Sequence, residues 1–533
     1  MRAFNYNNTG VAMSAFRALA RSAAANVGRR QFLGAAAAVA TLLPARSLWA
    51  DGVASGEVPA TISAVSISGT PVILTAADVK DLRASFKGKV LLAESAGYNE
   101  ARRVWNGSID RHPALIARCA SRDDIVRAVQ FARSHSLLTA VKGGGHSLSG
   151  QSTCEGGLMI DLSPMRDIQM DTARQVARAQ PGVLLAELDG KCQAAGLVTT
   201  LGTASDTGIA GLTLGGGQGR LMRKFGLSCD NVRSFELVTA DGKVRNVSAA
   251  ENPDLFWALR GGGGNFGIVS AFEYQLHPFA HPVLAGERSY PFKQAQAVLR
   301  GAADWLESAP DDLYLSAAIA DAAGESGFPE GHKVAVEFVY AGDPKEGAKL
   351  LPTLDKLGKA VSDTIAVKPY VVAQNGGTGA APPALPPGLG VYTRSGFTAA
   401  LSDKLIGEMI RAFQQGPQWL NEIGFGAAAG AVARVKPDAT AYWNRNAHSE
   451  LILIGVWADH SQDEHNVAVM RDLWKSFEPF TQGYYVNTEP SATEQRLRGT
   501  YGDNYARLVR LKNQYDPTNQ FRLNANIKPM AHT

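Results

Sequence analysis

Three glycine-rich segments set the strongest constraint on this chain. They are Lys142-Gly143-Gly144-Gly145-His146-Ser147, the run from Gly208 through Gly211, Gly215, Gly216 and Gly217 to Gly219, and Gly261-Gly262-Gly263-Gly264-Asn265-Phe266-Gly267. Glycine removes the Cβ that would block close approach and makes positive φ accessible, so backbone N–H groups can crowd around an anion. Three such segments in one chain point to a ligand that carries a polyphosphate. The third segment contains a formal G-x-G-x-x-G pattern from Gly262 to Gly267, but its context is reversed. The run 255–260 before it has helical character, and 268–276 after it alternates like a strand. A dinucleotide turn of the doubly wound type needs strand first and helix second. No Walker A sequence is present, which argues against a nucleoside triphosphatase.

The 533 residues allow two to four domains, and an apolar content of 45% is ample for a core. The net charge of +4 is misleading. Residues 1–50 hold six of the 53 basic residues and none of the 49 acidic ones, so the remainder is close to neutral and offers no general nucleic-acid surface. Those fifty residues read as a signal peptide of the twin-arginine type. Arg29-Arg30-Gln31-Phe32-Leu33 precedes an alanine-dominated apolar run ending at Leu43, and cleavage is expected after Ala50. The run is too short to span a bilayer. The expected destination is the periplasm or the exterior, reached folded through the twin-arginine machinery. None of Cys119, Cys154, Cys192 and Cys229 forms a C-x-x-C pair, and four buried free thiols are the expectation.

Residues 51 to about 90 look like a poorly ordered lead-in (51–109 as a segment), and regular structure is expected from near Ala114. A strand at 115–119, a helix opened by a capping box at Ser121 and Asp124, and a strand at 137–141 deliver the chain into the first glycine segment. Strands are expected at 159–162, 176–179, 235–239 and 243–247, the last two joined at Ala240-Asp241-Gly242. From about Val283 helical stretches (293–306, 345–357, 402–413) alternate with strands (334–340, 451–457). This reads as a second, α+β domain on an antiparallel sheet. The segment 374–390, full of Gly and Pro, is expected to be a mobile loop.

With these segments in view, the sequence resembles the berberine bridge enzyme-like FAD-linked oxidases of the vanillyl-alcohol oxidase superfamily. The likeness runs from about Asn99 to Pro529. It rests on the Gly-Gly-Gly-His loop, Met159-Ile160-Asp161-Leu162-Ser163, the 211–219 run followed by Arg223-Lys224-Phe225-Gly226, and Asn252-Pro253-Asp254-Leu255-Phe256-Trp257. Asn265-Phe266-Gly267, Tyr485-Val486-Asn487, Tyr515-Asp516-Pro517 and the closing Phe521-Arg522-Leu523-Asn524-Ala525-Asn526-Ile527 complete it. The resemblance implies an α+β fold: a two-part PCMH-type FAD-binding domain over 110–282, a second α+β substrate domain over 283–485, and a C-terminal segment, 486–533, that completes the FAD site. It implies FAD contacts from Lys142, Gly143, Gly144, Gly145, His146 and Ser147, from Thr207, Gly208, Gly211, Gly215, Gly216 and Gly219, from Gly267, Ile268 and Val269, and from Asn487, Asn524 and Asn526. It also implies a covalent bond from His146 to the 8α carbon of FAD, a linkage that raises the flavin's potential.

Two departures sharpen the expectation. Doubly linked relatives carry a cysteine where this chain has Ala204, so one covalent link is expected. Thr207 stands where similar proteins carry a residue that gates oxygen; its Val-like shape favours O2 as acceptor. Relatives with Tyr-x-Asn-Tyr use the last tyrosine as base, and Thr488 stands there instead. Tyr485, Glu489 and Tyr392 are the candidates for that role. The expected activity is hydride transfer from a C–H bond beside an alcohol or amine of a small-molecule substrate to flavin N5, with O2 reduced to H2O2. A dehydrogenase using another acceptor, or a flavin-binding protein without turnover, remains compatible. No metal site is expected.

Overall fold

The computed structural model describes residues 58–328, 331–374, 389–488 and 493–530. Residues 1–50, expected to be a twin-arginine signal, most of the 374–390 segment and Glu489 lie outside the described residues.

The chain opens with structure that the sequence reading missed. A hairpin, Thr61–Val65 with Pro71–Thr75, is followed by the helix Ala76–Ala84 and the strand Lys89–Leu91. The lead-in is therefore ordered from Val58 onward. The two hairpin strands are five residues long, and only Ala64 and Leu74 in them are fully buried, so the alternation is too brief to register. The helix carries its own capping box, Thr75 with Asp78.

The first half of the FAD-binding region is a four-stranded sheet. Leu115–Arg118 and Thr139–Lys142 flank Leu158–Asp161 in parallel, and Lys89–Leu91 adds antiparallel at one edge. The helix Arg122–Ser134 crosses over between the parallel strands, capped by Ser121 and Asp124 as expected. Asp124 also accepts from the amides of Lys87 and Gly88, which ties the opening segment down. The second half is a five-stranded antiparallel sheet in the order Val244–Ser248, Val232–Val238, Ile268–Gln275, Val176–Ala179, Ile168–Asp171. The helix Pro253–Leu259 and strand Ile268–Gln275 flank the third glycine segment in the anticipated helix-then-strand order.

The region after Val283 is built on one large antiparallel sheet. Its long strands run in the order Val283–Pro291, His332–Tyr340, Leu313–Asp321, Leu420–Ala427, Ser449–Trp457, Gly390–Thr398. Alternation sorts its residues onto two faces. Leu315, Val336, Phe338, Ile423, Leu451 and Leu453 pack under the helices Ala295–Ser308, Asp403–Gln415 and Asp463–Trp474. The opposite face carries Glu337, Ser316, Glu422, Glu450 and Ser395 and turns to the FAD-binding region. Arg220 reaches across to Glu337 at 2.8 Å, and Ser395 Oγ lies 2.6 Å from Thr488 Oγ1.

The C-terminal helix Asn504–Tyr515 returns the chain to the third glycine segment. Lys512 is fully buried and donates to Asp516 Oδ2 (2.7 Å), to the carbonyl of Asn265 (2.9 Å) and to that of Phe521 (2.8 Å). Asn265 clasps the tail from the other side, accepting from the Ile527 amide and donating to the Ala525 carbonyl. All four cysteines are buried and unpaired, as expected. Replacing Lys512 by Met would strip Asp516 of its counter-charge within the core. Breaking such a pair costs about 3–5 kcal/mol, so chemical denaturation of Lys512→Met is expected to show a loss of that size, accompanied by weaker flavin retention.

Candidate active site

A cleft forms where the glycine segments converge. Its walls include Gly143, Gly144, Gly145, His146 and Ser147; Thr207, Gly208 and Gly211; Gly267, Ile268 and Val269; and Asn487 and Asn524. Backbone contact brings them together. A Cβ on Gly144 would lie 2.5 Å from Gly208 Cα, and one on Gly208 would lie 2.5 Å from the Gly144 amide nitrogen. Real Cβ atoms do not pack so closely, so both positions require glycine. Gly145 adds a φ of +74°.

The lining fits FAD. The amides of Gly144, Gly145, His146 and Ser147 find no acceptor among the described residues, and a row of free N–H groups on a concave turn suits a pyrophosphate. Ser152 Oγ and Asn524 Oδ1, both on the cleft wall, are buried without a partner. Unsatisfied buried polar atoms at one place are what a polar ligand would satisfy. A Cβ on Gly211 would meet nothing within 4 Å.

Five of the residues expected to contact the cofactor do not line this cleft. The Lys142 side chain turns away and donates to the carbonyls of Ala101 (2.7 Å) and Arg103 (2.8 Å). Gly215, Gly216 and Gly219 are packing glycines. Their missing Cβ atoms leave room for Asn487, for the Tyr442 ring and for the Leu201 carbonyl respectively. Asn526 lies off the cleft wall, with Oδ1 buried and unpaired.

His146 sits at the cleft wall beside two residues the sequence did not single out. The Trp105 ring stacks on it, centroids 4.4 Å apart and planes inclined by 28°. Asp206 Oδ1 lies 3.4 Å from His146 Nε2, a distance of electrostatic contact rather than of a well-formed hydrogen bond. The indole Nε1 of Trp105 donates to Asp206 Oδ2 at 3.1 Å. Burial pushes the Asp206 carboxyl up, but His146 and Trp105 together outweigh it and hold it below its ordinary range. Leu148, Val391, Ile452 and Ile454 pack beside Trp105 as an apolar wall.

The tyrosines considered as bases are placed elsewhere. Tyr392 lies on the helix-covered face of the large sheet, within its apolar core, and accepts from Arg471 Nε at 3.2 Å. Successive residues of a strand face opposite ways, so that placement takes Tyr392 away from the FAD-binding region. Tyr485 is buried, and its hydroxyl oxygen accepts from the amides of Gly217 (3.0 Å) and Gln218 (3.2 Å) and from Asn487 Nδ2 (2.9 Å). Burial pushes its phenol up to about 12, against those three donors. A phenol so placed stays protonated and pins the second glycine segment to Asn487. Thr488 fills its position structurally, through Ser395 and Thr393.

Sequence reasoning missed Glu450, on the sheet face turned toward the FAD-binding region. Burial pushes its carboxyl up to about 7, opposed by hydrogen bonds from Ser395 and Gln218. The neighbouring strand carries Glu422 on the same face, its carboxyl pushed up to about 8 by burial and by Glu287 and Glu337. Strand alternation could have placed both on the polar face, but only the packing of Gln218 and Ser395 marks Glu450 out.

Comparison with known proteins agrees with this architecture. Residues 113–248 match the family model described as FAD binding domain, and residues 484–528 match the one described as berberine and berberine like. The chain is 31% identical to an uncharacterized FAD-linked oxidoreductase, YgaK, of Bacillus subtilis, over 84% of this chain and 98% of that protein. It is 30% identical to (R)-6-hydroxynicotine oxidase of Paenarthrobacter nicotinovorans, over 84% of this chain and 97% of the relative. The crystal structure of 6-hydroxy-D-nicotine oxidase from Arthrobacter nicotinovorans superposes with a TM-score of 0.75 at 28% identity, covering 84% of this chain and 99% of that one. A chitooligosaccharide oxidase shares the fold, with a TM-score of 0.76 at 23% identity over 85% of this chain and all of that one. The chain belongs to the berberine bridge enzyme-like family of FAD-linked oxidoreductases.

Proposed function

We propose that this protein is an exported oxidase that takes a hydride from a C–H bond beside an amine or alcohol of a small organic substrate and passes the electrons to O2, releasing H2O2. The observation that carries the reading is the cleft itself: free amides and unsatisfied polar atoms on its wall, with His146 beside them. FAD bound there supplies the two-electron acceptor. The amides of 144–147 hold its pyrophosphate, and His146 tethers it through the 8α carbon. Ala204, the residue opening the loop to Gly208, offers no thiol for a second link. Thr207 lines the cleft, and its Val-like shape is what favours O2 as the acceptor.

Glu450 is the group we assign to proton removal. A carboxyl whose pKa lies near 7 exchanges protons readily at neutral pH, and burial keeps it from being permanently ionised. It accepts the N–H or O–H proton as the hydride leaves the adjacent carbon. The name of the hydroxynicotine oxidase supports an amine as one substrate type, and those of the sugar oxidases keep alcohols in range. The N-terminal fifty residues support export; a purified exported form beginning at Asp51 would bear this out, and one beginning at Met1 would refute it.

Peroxide formed per substrate consumed is expected to be one to one in air; a ratio far below one would make the protein a dehydrogenase. After acid precipitation the yellow colour is expected to stay with the wild-type pellet and to wash out of His146→Ala. Glu450→Gln should slow reduction of the bound flavin by about 10²-fold. In the wild type, kcat/KM should fall as pH drops through about 7, because a protonated Glu450 cannot accept the substrate proton; the Gln variant should lose that limb. A Gln variant with wild-type rate and profile would remove Glu450 from the reaction.

A further inference from the structure

Asp206 occupies the loop between Ala204 and Gly208, and its carboxylate meets the Nε2 side of the His146 ring. The imidazole has one nitrogen, Nε2, directed at a carboxylate 3.4 Å away, and an indole ring covering one face. Trp105 in turn holds the second carboxylate oxygen. Neither contact is needed to bury the histidine, which is only partly covered (18% of its side chain remains accessible). The arrangement orients the ring and leaves Nδ1 as the nitrogen available to a ligand. It has the form of a carboxylate–imidazole pair in which the carboxylate fixes the tautomer and stabilises positive charge on the ring.

We propose that Asp206 is the positioning residue for flavin attachment, holding His146 by Nε2 so that Nδ1 adds to the 8α carbon and stabilising the imidazolium that results. The inference rests on the reading of His146 as the tether. In the step, a bond forms between Nδ1 and the 8α carbon, and one C–H bond at that carbon breaks. Its proton leaves, and two electrons reduce the flavin ring. The imidazole is cationic until the Nε2 proton departs by way of Asp206. Dioxygen then takes the two electrons and two protons as H2O2, and the ring returns to its oxidised state. The 3.4 Å contact is long for a neutral imidazole and shortens once the ring carries charge, because charge-assisted hydrogen bonds are the shorter and stronger ones.

The test uses the full-length protein purified with its flavin. Two quantities are read: total flavin by absorbance, and the fraction that stays with the polypeptide after acid precipitation, followed over time in air with added FAD. Wild type is expected to hold its flavin covalently. Asp206→Ala should bind FAD but attach it at least tenfold more slowly, and Asp206→Asn, which keeps the shape and an acceptor oxygen but not the charge, should also be slowed. Asp206→Glu should recover part of the rate. Should the Ala variant fail to accumulate, the isosteric Asn variant decides. Attachment as fast and complete as wild type in Asp206→Asn overturns the role given to Asp206, as does a loss of total flavin with an unchanged attachment rate. Wild-type flavin that washes out in acid overturns the tether itself, a result distinct from either of these.

Discussion

The structure depends on the contact between the backbones of Gly144 and Gly208. These residues belong to loops more than sixty positions apart, one leaving a parallel strand and the other opening a short helix. No side chain fits between them at the observed approach. The contact closes the floor of the cleft and joins the two halves of the FAD-binding region there. It also leaves the amides beyond Gly143 pointing into open space, because the partner loop offers a Cα–H surface where a carbonyl could otherwise have satisfied them. A backbone that cannot pair with itself at this place is available to an anion.

The face of the large sheet turned toward the FAD-binding region works by charge. The sheet face carries Glu287, Glu337, Glu422 and Glu450, and among the described residues two cations pair with them. Arg220 covers Glu337 and Lys333 covers Glu287, at 2.8 and 3.3 Å. Glu422 and Glu450 have no such partner among the described residues, so burial raises both, to about 8 and about 7. An uncompensated buried carboxylate neutralises itself by binding a proton rather than remain charged in a low dielectric. The two compensated carboxylates are therefore held in ion pairs, whereas burial favours the protonated form of the two uncompensated ones.

Much of this was legible in the sequence. The capping box at Ser121, the helix-then-strand order around the third glycine segment and the α+β character after Val283 all appear where local pattern placed them. Local pattern failed where elements are short, as in the hairpin after residue 60, or where proline divides a helix. The stretch 345–357 forms two helices, Pro344–Ala348 and Leu351–Leu357, with a proline in the first turn of each. Site residues divide the same way. Glycines that a turn or close approach demands announce themselves, but the sequence cannot say whether the approaching group is a ligand or the protein. Gly215, Gly216 and Gly219 look like their neighbours and serve packing instead. Tyr392 and Tyr485 were drawn in by residue type, and only strand register and burial show that one faces the helices and the other is held by three donors.

Asp206 illustrates how the backbone constraint and the chemistry are one feature. The loop that carries it is pinned at every second residue. The Leu185 amide donates to the Thr207 carbonyl, the Ala186 amide to that of Ser205, and the Thr207 amide to that of Ala204. The next residue, Gly208, is already locked against Gly144, whose own loop ends on His146. Asp206 and His146 are thus brought together by the same contact that builds the cleft, each two residues along its loop from the glycine that makes it. Their separation cannot drift without opening the floor of the site. A carboxylate held by main-chain geometry rather than by a flexible segment pays little entropy to orient the imidazole. The rigidity that the glycines confer on the floor of the cleft therefore extends, through two residues on either side, to the His146 ring.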